Sequence, residues 1–358
     1  MMLRKQMQKN QLGFSLVEIL VGLVIGLLAT LVIMQVFAAF EGQKRTTTGN
    51  SDAQTNGSIA LFTLVRDIQM AGFGLPVFDK VNPALKCDPA VSAMTVDHDG
   101  NGATPNIDMF PISITDGGAT GSDIVRVRYA TDGATITSGV GFKVISKTGN
   151  DIGVDSNFGC NNGDSVLLSA GATCSMTRVN DAGLAGHPLQ ITLTSGAGAT
   201  VGGSLACMGQ WNQFTYTVAN NQLQRNDASS TTVTPIVPDV VRLKAQYGIS
   251  ADPKSNQIAL WVSATGVWAT PGVTSATCDA SNANRNCIKA VHVAIVARNG
   301  LLEKTNVTTA APLAWAAIAG STTPTINLSA DTDWQRYRYR VYDNIIPLRN
   351  MIWSKNTL

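Results

Sequence analysis

The sequence holds little charge and no recognisable catalytic signature. Asp, Glu, Lys and Arg make up 14% of its 358 residues, and the formal net charge is +2. Arg4, Lys5 and Lys9 fall in the first thirteen positions, which leaves 23 of the 26 basic residues against 24 acidic ones, a net of −1 beyond them. That balance argues against a partner chosen by bulk electrostatics, whether nucleic acid or anionic lipid. There is no G-x-S-x-G, P-loop, H-E-x-x-H or strand–helix G-x-G-x-x-G. The side-chain groupings that these motifs bring together for hydrolysis, phosphate binding or hydride transfer are therefore missing, and no catalytic role is expected. No C-x-x-C pair occurs and His98, His187 and His292 are scattered, so a zinc site lacks its usual spacing. No proline precedes Pro76 and no internal repeat is evident.

What the chain does have is one long apolar run. From Phe14 to Phe40 the only charge is Glu18. A helix over these residues would reach roughly 40 Å, enough to cross a bilayer core of about 30 Å. The run exceeds a secretory h-region and no A-x-A site follows. The basic residues before it place the N-terminus in the cytoplasm and everything after Phe40 outside. A carboxylate within an apolar span is costly, which marks Glu18 as functional. Gly22 and Gly26 form a G-x-x-x-G that permits close helix approach.

The leader MMLRKQMQKNQLG, then Phe14, then Glu18 at the fifth place after Gly13, resembles the N-terminal signal of type IV pilins and type II secretion pseudopilins. The resemblance implies that a prepilin peptidase cuts after Gly13 and methylates the new N-terminal amine of Phe14. It also implies that Glu18 pairs with the amine of a neighbouring subunit inside a filament. Such a pair would offset the desolvation of both charges and set the register. RDIQMAGFG (66–74), VVRLKAQYGIS (240–250), AVHVAIVARNG (290–300) and YRVYDNIIPLRNMIW (339–353) are in turn similar to the PilW family of minor pilins. That likeness implies a low-abundance pilus subunit, acting with other minor pilins, the major pilin, a PilY-type tip adhesin and the inner-membrane assembly platform. It would prime pilus assembly and support twitching motility and adhesion. A type II secretion pseudopilin of the J type shares the layout and is the alternative; a pilin-like receptor for DNA or calcium is a third reading.

The organisation expected is α+β. A leader (1–13) precedes a membrane or filament-core segment (14–40) and an amphipathic half-helix (41–75), followed by a β-rich, mainly antiparallel domain (76–358). In the second half-helix Leu61, Leu64, Val65 and Ile68 repeat at helical spacing. Gly72, Gly74 and Pro76 end the helix, and Gly42, Gly49 and Gly57 mark a possible break near 42–57. Strands are expected at 123–131, 165–170, 189–194, 213–218, 240–248, 258–264, 290–298 and 336–344, with a hairpin turn at Asn220–Asn221. Glycine-, serine- and threonine-rich stretches at 115–122, 133–141 and 195–204 read as loops.

Six cysteines lie on the exported side, where an oxidising compartment favours disulfides. Proximity in sequence favours Cys160–Cys174 and Cys278–Cys287, leaving Cys87–Cys207. The stretch DHDGNGATPNID (97–108) sets Asp97, Asp99, Asn101, Gly102 and Asp108 at the places of a calcium loop, with Asp for the terminal Glu. An ordinary Asp/Asn/Gly turn accounts for the same residues, so Ca²⁺ stands as one of two readings and no cofactor is required. Arg336, Arg338 and Arg340 alternate beside Tyr337, Tyr339 and Tyr342. The pattern reads as a nucleic-acid ladder, or else as a solvated strand face or a contact with a sister subunit, and the overall charge argues against nucleic acid.

Overall fold

A computed structural model of the protein describes residues 15–75, 95–96, 110–131, 141–170, 173–183, 186, 189–228, 232–272, 275–317 and 321–352. The chain divides into two compact units, one ending at Ser51 and the other starting at Asp52. Helix α1 (Leu16–Met70) runs unbroken through 55 residues. The break anticipated near 42–57 does not occur. A helix glycine costs about 1 kcal/mol relative to alanine but keeps its backbone hydrogen bonds. At Gly57 the missing side chain serves packing: a Cβ there would lie 2.2 Å from the ring of Tyr342. The helix ends as its sequence indicates, with Gly72 and Gly74 at positive φ of 82° and 64°.

Among the described residues the globular unit contains three sheets. Strands β1 (Thr95–Val96), β2 (Ile112–Thr115) and β3 (Ile124–Ala130) come first. β4 (Phe142–Thr148), β5 (Asp151–Val154), β6 (Ser165–Ala170), β7 (Thr173–Asp181), β8 (Gln190–Leu193) and β9 (Ser204–Cys207) follow. β10 (Trp211–Ala219), β11 (Gln222–Asp227) and β12 (Val233–Pro238) complete a five-stranded sheet in the order β12-β11-β10-β3-β2. The β10–β11 hairpin turns on Asn220 and Asn221, both at positive φ, as a two-residue turn with the right twist demands. β13 (Val240–Ile249), β14 (Leu260–Val262), β15 (Ile288–Arg298) and β16 (Tyr339–Pro347) form the last sheet, in the order β14-β13-β15-β16. A short α2 (Arg349–Ile352) closes the described chain. The architecture is thus α+β with a long N-terminal helix and predominantly antiparallel strands, as expected.

The middle strands form a feature that the sequence did not reveal. β7-β6-β9-β4-β5-β8 are successive antiparallel neighbours, and β8 pairs back onto β7 to close a small barrel. Its interior is aliphatic: Val144, Ile152, Val154, Val166, Leu168, Val179, Ile191, Leu193 and Leu205 pack together with Phe142. The barrel interrupts the pairing of β3 with β10. Ala130 lies opposite Trp211, and the Thr131 N–H donates to the Gln210 carbonyl at 3.0 Å. The two ends of the inserted segment therefore meet.

The disulfides differ in part from the sequence expectation. Cys278–Cys287 forms as anticipated. Cys160 bonds Cys207 rather than Cys174, which rules out both the Cys160–Cys174 and the Cys87–Cys207 pairings. Barrel closure brings the β5–β6 connection beside the end of β9, a proximity in space that sequence separation hides. Cys174 is itself disulfide-bonded, and Cys87 lies outside the described residues.

β13 and β15 are buried on both faces. On one face Leu243, Ala245, Tyr247, Val291, Val293 and Ile295 pack with Ala60, Leu64 and Ile68 of α1. The opposite face carries Arg242, Lys244, Gln246 and His292, all buried. Much of the segment between β15 and β16 straps across this face, with Trp315, Ile326 and Leu328 packed on Val241, Ala294 and Val296.

Candidate functional site

The N-terminal site begins with Ser15. Its carbonyl accepts from the N–H groups of Glu18 and Ile19 at 3.0 and 3.2 Å, and its hydroxyl oxygen accepts from Val17 N–H at 3.4 Å. Ser15 thus caps α1 and satisfies donors that a helix start leaves open. Glu18 then stands in the first turn, where a carboxylate complements the helix dipole. Glu18, Gly22 and Gly26 are four residues apart and share one face of α1. A Cβ at either glycine would meet nothing within 4 Å. Leu16 to Phe40 present their large apolar side chains to the outside, and by length and composition this helix can cross a membrane. Gly13 and Phe14 lie outside the described residues.

The other end of α1 is locked to its domain by an ion cluster around the buried Asp67. Asp67, on the helix, accepts from the Tyr216 hydroxyl at 2.5 Å and from Arg66 Nε at 3.1 Å, with Arg225 at 3.6 Å. Burial and then the Asp67 charge push the Tyr216 hydroxyl far above its usual range, so it remains a donor. The Arg225 guanidinium lies 4.5 Å from the centroid of the Phe214 ring. Asn350 of α2 donates to the Ala71 carbonyl at 3.1 Å, satisfying one open acceptor at the helix end. Sequence reading passed over Asp67 because it lies between Arg66 and Ile68 on a helix face that looked solvated. A carboxylate one place before a core isoleucine was the available signal.

The sheet behind α1 is organised by buried polar groups. Lys244 Nζ pairs with Asp123 Oδ1 at 3.0 Å and also donates to the Gly118 carbonyl. Asp123 further accepts from Gly117 and Ala245 N–H. Burial raises the Asp123 carboxyl pKa, and these donors and Lys244 oppose the shift. Arg242 pairs with Asp331 at 2.9 Å and Gln246 donates to the Thr322 carbonyl, so both bind the strap. His292 Nε2 donates to Asp343 Oδ2, 2.9 Å away, and the ring stacks 3.8 Å from that of Trp315.

The arginine ladder does not form a free cationic face. Arg338 is paired with Glu303 at 3.0 Å, Arg336 lies 3.7 Å from Asp333, and of the three Arg340 of β16 is the exposed one. This arrangement disfavours a nucleic-acid groove, which needs cations available to phosphates. Asp97, Asp99, Asn101 and Asp108 lie outside the described residues. Among the described residues no cluster of three metal-ligating side chains occurs.

A family model described as type IV pilus-assembly protein W, or PilW, matches residues 210–350. The prokaryotic N-terminal methylation motif matches residues 8–34. Over residues 210–350 the chain is similar to the PilW family, and at its start to proteins that carry the methylation motif. The match covers β10 through the start of α2, hence the helix-facing sheet, its strap and Tyr216. The barrel lies outside both matched stretches. No curated protein and no solved structure matches the chain. Family and architecture together define a pilin-like protein with a membrane anchor, associated with the membrane and with other pilus components. They point to a structural pilus component.

Proposed function

We propose that this chain is a minor, non-enzymatic subunit of a type IV pilus that primes assembly with other minor pilins and so supports twitching motility and adhesion. Prepilin peptidase cleaves after Gly13 and methylates Phe14. The anchored precursor sits in the inner membrane with its N-terminus cytoplasmic and residues beyond Phe40 periplasmic, and later enters the extracellular filament. The observation that carries this reading is the stripe of Glu18, Gly22 and Gly26 on an apolar helix, joined to a domain similar to the PilW family. The glycines let a neighbouring helix approach, and Glu18 then meets that neighbour's N-terminal amine where water is scarce. A PilY-type adhesin, the major pilin and the inner-membrane platform are the further partners.

Mass spectrometry of sheared surface filaments tests this, with a peptide beginning at N-methylated Phe14 as the expected result. A processed peptide confined to membranes would favour a secretion pseudopilus instead. Absence of any processed form, or normal maturation of Gly13→Ala, would overturn the pilin reading.

A further inference from the structure

Among the described residues four sheet edges stand open to another strand, and three of them are blunted. At β2 the Ile114 N–H donates to the Tyr247 hydroxyl at 2.6 Å. At β14, only three residues long, the Trp261 N–H donates to the Ser321 hydroxyl at 3.0 Å. β12 carries Pro235 and Pro238, which have no N–H to offer. The barrel closes on itself apart from the two-residue β1. β16 is different. It is nine residues long and pairs with β15 on one side only. The Leu348 N–H donates to the Lys289 carbonyl, opposite which it lies, and the Asn299 N–H donates to the Arg338 carbonyl. Alternation between these two points turns residues 340, 342, 344 and 346 toward β15. The N–H and C=O groups of Val341, Asp343 and Ile345 therefore point outward, and none has a partner among the described residues. The Ile345 side chain is 46% exposed. Asp343 is held at the edge by His292, itself fixed against Trp315.

We propose that the open edge of β16 receives an extended strand from a different pilin-like subunit, hydrogen-bonded to Val341, Asp343 and Ile345. The incoming strand carries a basic residue facing Asp343 and an apolar residue over Ile345. A row of outward backbone donors and acceptors specifies an extended occupant, because only a strand matches their spacing. A second copy of this chain fits poorly. The two-fold register that pairs the full length from Tyr339 to Pro347 sets Asp343 directly against its own copy, a like-charge contact that destabilises a sheet. The inference rests on the pilus-subunit reading above.

The test uses full-length chain in native membranes. Ile345→Pro removes an outward N–H and leaves the bonds to β15 intact, whereas Asn344→Pro removes an inward one and should disrupt the sheet. Native electrophoresis of gently solubilised membranes is expected to show the wild-type chain in a complex with a distinct subunit. Ile345→Pro should accumulate normally, with Cys278–Cys287 formed, while its complex falls by about tenfold. An unchanged complex would overturn the proposal, as would a wild-type chain that runs as a monomer. Disulfide-linked homodimers of Ile345→Cys would also overturn it, making a second copy the occupant. If Ile345→Pro fails to accumulate, Ile345→Lys at this exposed position replaces it with the same two outcomes. Sheared filaments from the same cells keep the two readings apart. A complex that depends on position 345, in a chain absent from filaments, sustains the edge proposal and refutes the pilus assignment.

Discussion

The barrel and the β13–β16 sheet solve the same problem in opposite ways. The barrel buries one aliphatic cluster, closes its own edges and is clamped by Cys160–Cys207. The sheet buries charge: Arg242, Lys244 and His292 lie under a strap on one face, with α1 on the other. An aliphatic core fills volume without selecting among many arrangements. A buried ion pair contributes little net stability, but breaking it is costly, so it specifies which loop lies where. The region with buried charge is also the one that the PilW family model matches. The comparison sets a sheet whose geometry is fixed by buried charge against a barrel stabilised by its own core and disulfide.

Four experiments would break or sharpen this contrast. The largest effect is expected on the sheet: Lys244→Met should cost about 3–5 kcal/mol by leaving Asp123 buried without its cation. Thermal unfolding of the detergent-solubilised chain measures it, and Asp123→Asn in the same chain should recover part of the loss. A cost under 1 kcal/mol would show that the polar face specifies nothing. In the barrel, the double change Cys160→Ser and Cys207→Ser should cost about 2–4 kcal/mol. Hydrogen exchange should report faster opening in β4–β9 alone, and equal loss of protection in β13 and β15 would contradict independent stabilisation.

A smaller, pH-dependent effect is expected at Lys289, whose amine burial pushes down to about 8. Its Nζ donates to the Pro253 carbonyl at 3.1 Å. Since the folded value lies below that of the unfolded chain, the unfolded state binds more protons between the two, and stability rises with pH there. Wild type should therefore gain on Lys289→Met from pH 8 upward, and the Met variant should be the more stable below pH 8 by about 1–2 kcal/mol. Melting temperatures that stay parallel from pH 7 to 10 would contradict this. Arg338→Ala, which breaks a partly exposed pair with Glu303, should change stability by less than about 1 kcal/mol. A larger loss would mean that the strap is anchored there as firmly as at Lys244.

Much of this was legible in the sequence because local physics decided it. The apolar run and its lone carboxylate, the glycine helix stop and the Asn220–Asn221 hairpin each depend on neighbours within a few residues. The same holds for Cys278–Cys287, nine residues apart. What sequence did not show depends on long-range closure. β5 and β9 are only four residues long and β4 and β7 are partly polar, and they become a barrel only when β8 meets β7. The Cys160–Cys207 bond follows from that meeting. VVRLKAQYG alternates like a strand with one wet face. The strap, whose Trp315 lies far along the chain, turns that wet face into an interior. Asp67 looked solvated for the same reason, its partners Tyr216 and Arg225 being more than a hundred residues away.

One consequence follows from the meeting of Thr131 and Gln210. With Ala130 paired to Trp211, these two residues occupy the place of a two-residue hairpin turn, and everything between them is cargo on that turn. The β3–β10 sheet need not be re-threaded when the cargo changes. The inserted segment could be exchanged while the sheet that receives it keeps its pairing, much as a tool changes on a fixed handle. An experimenter could use the same socket to mount a tag or a fluorescent protein.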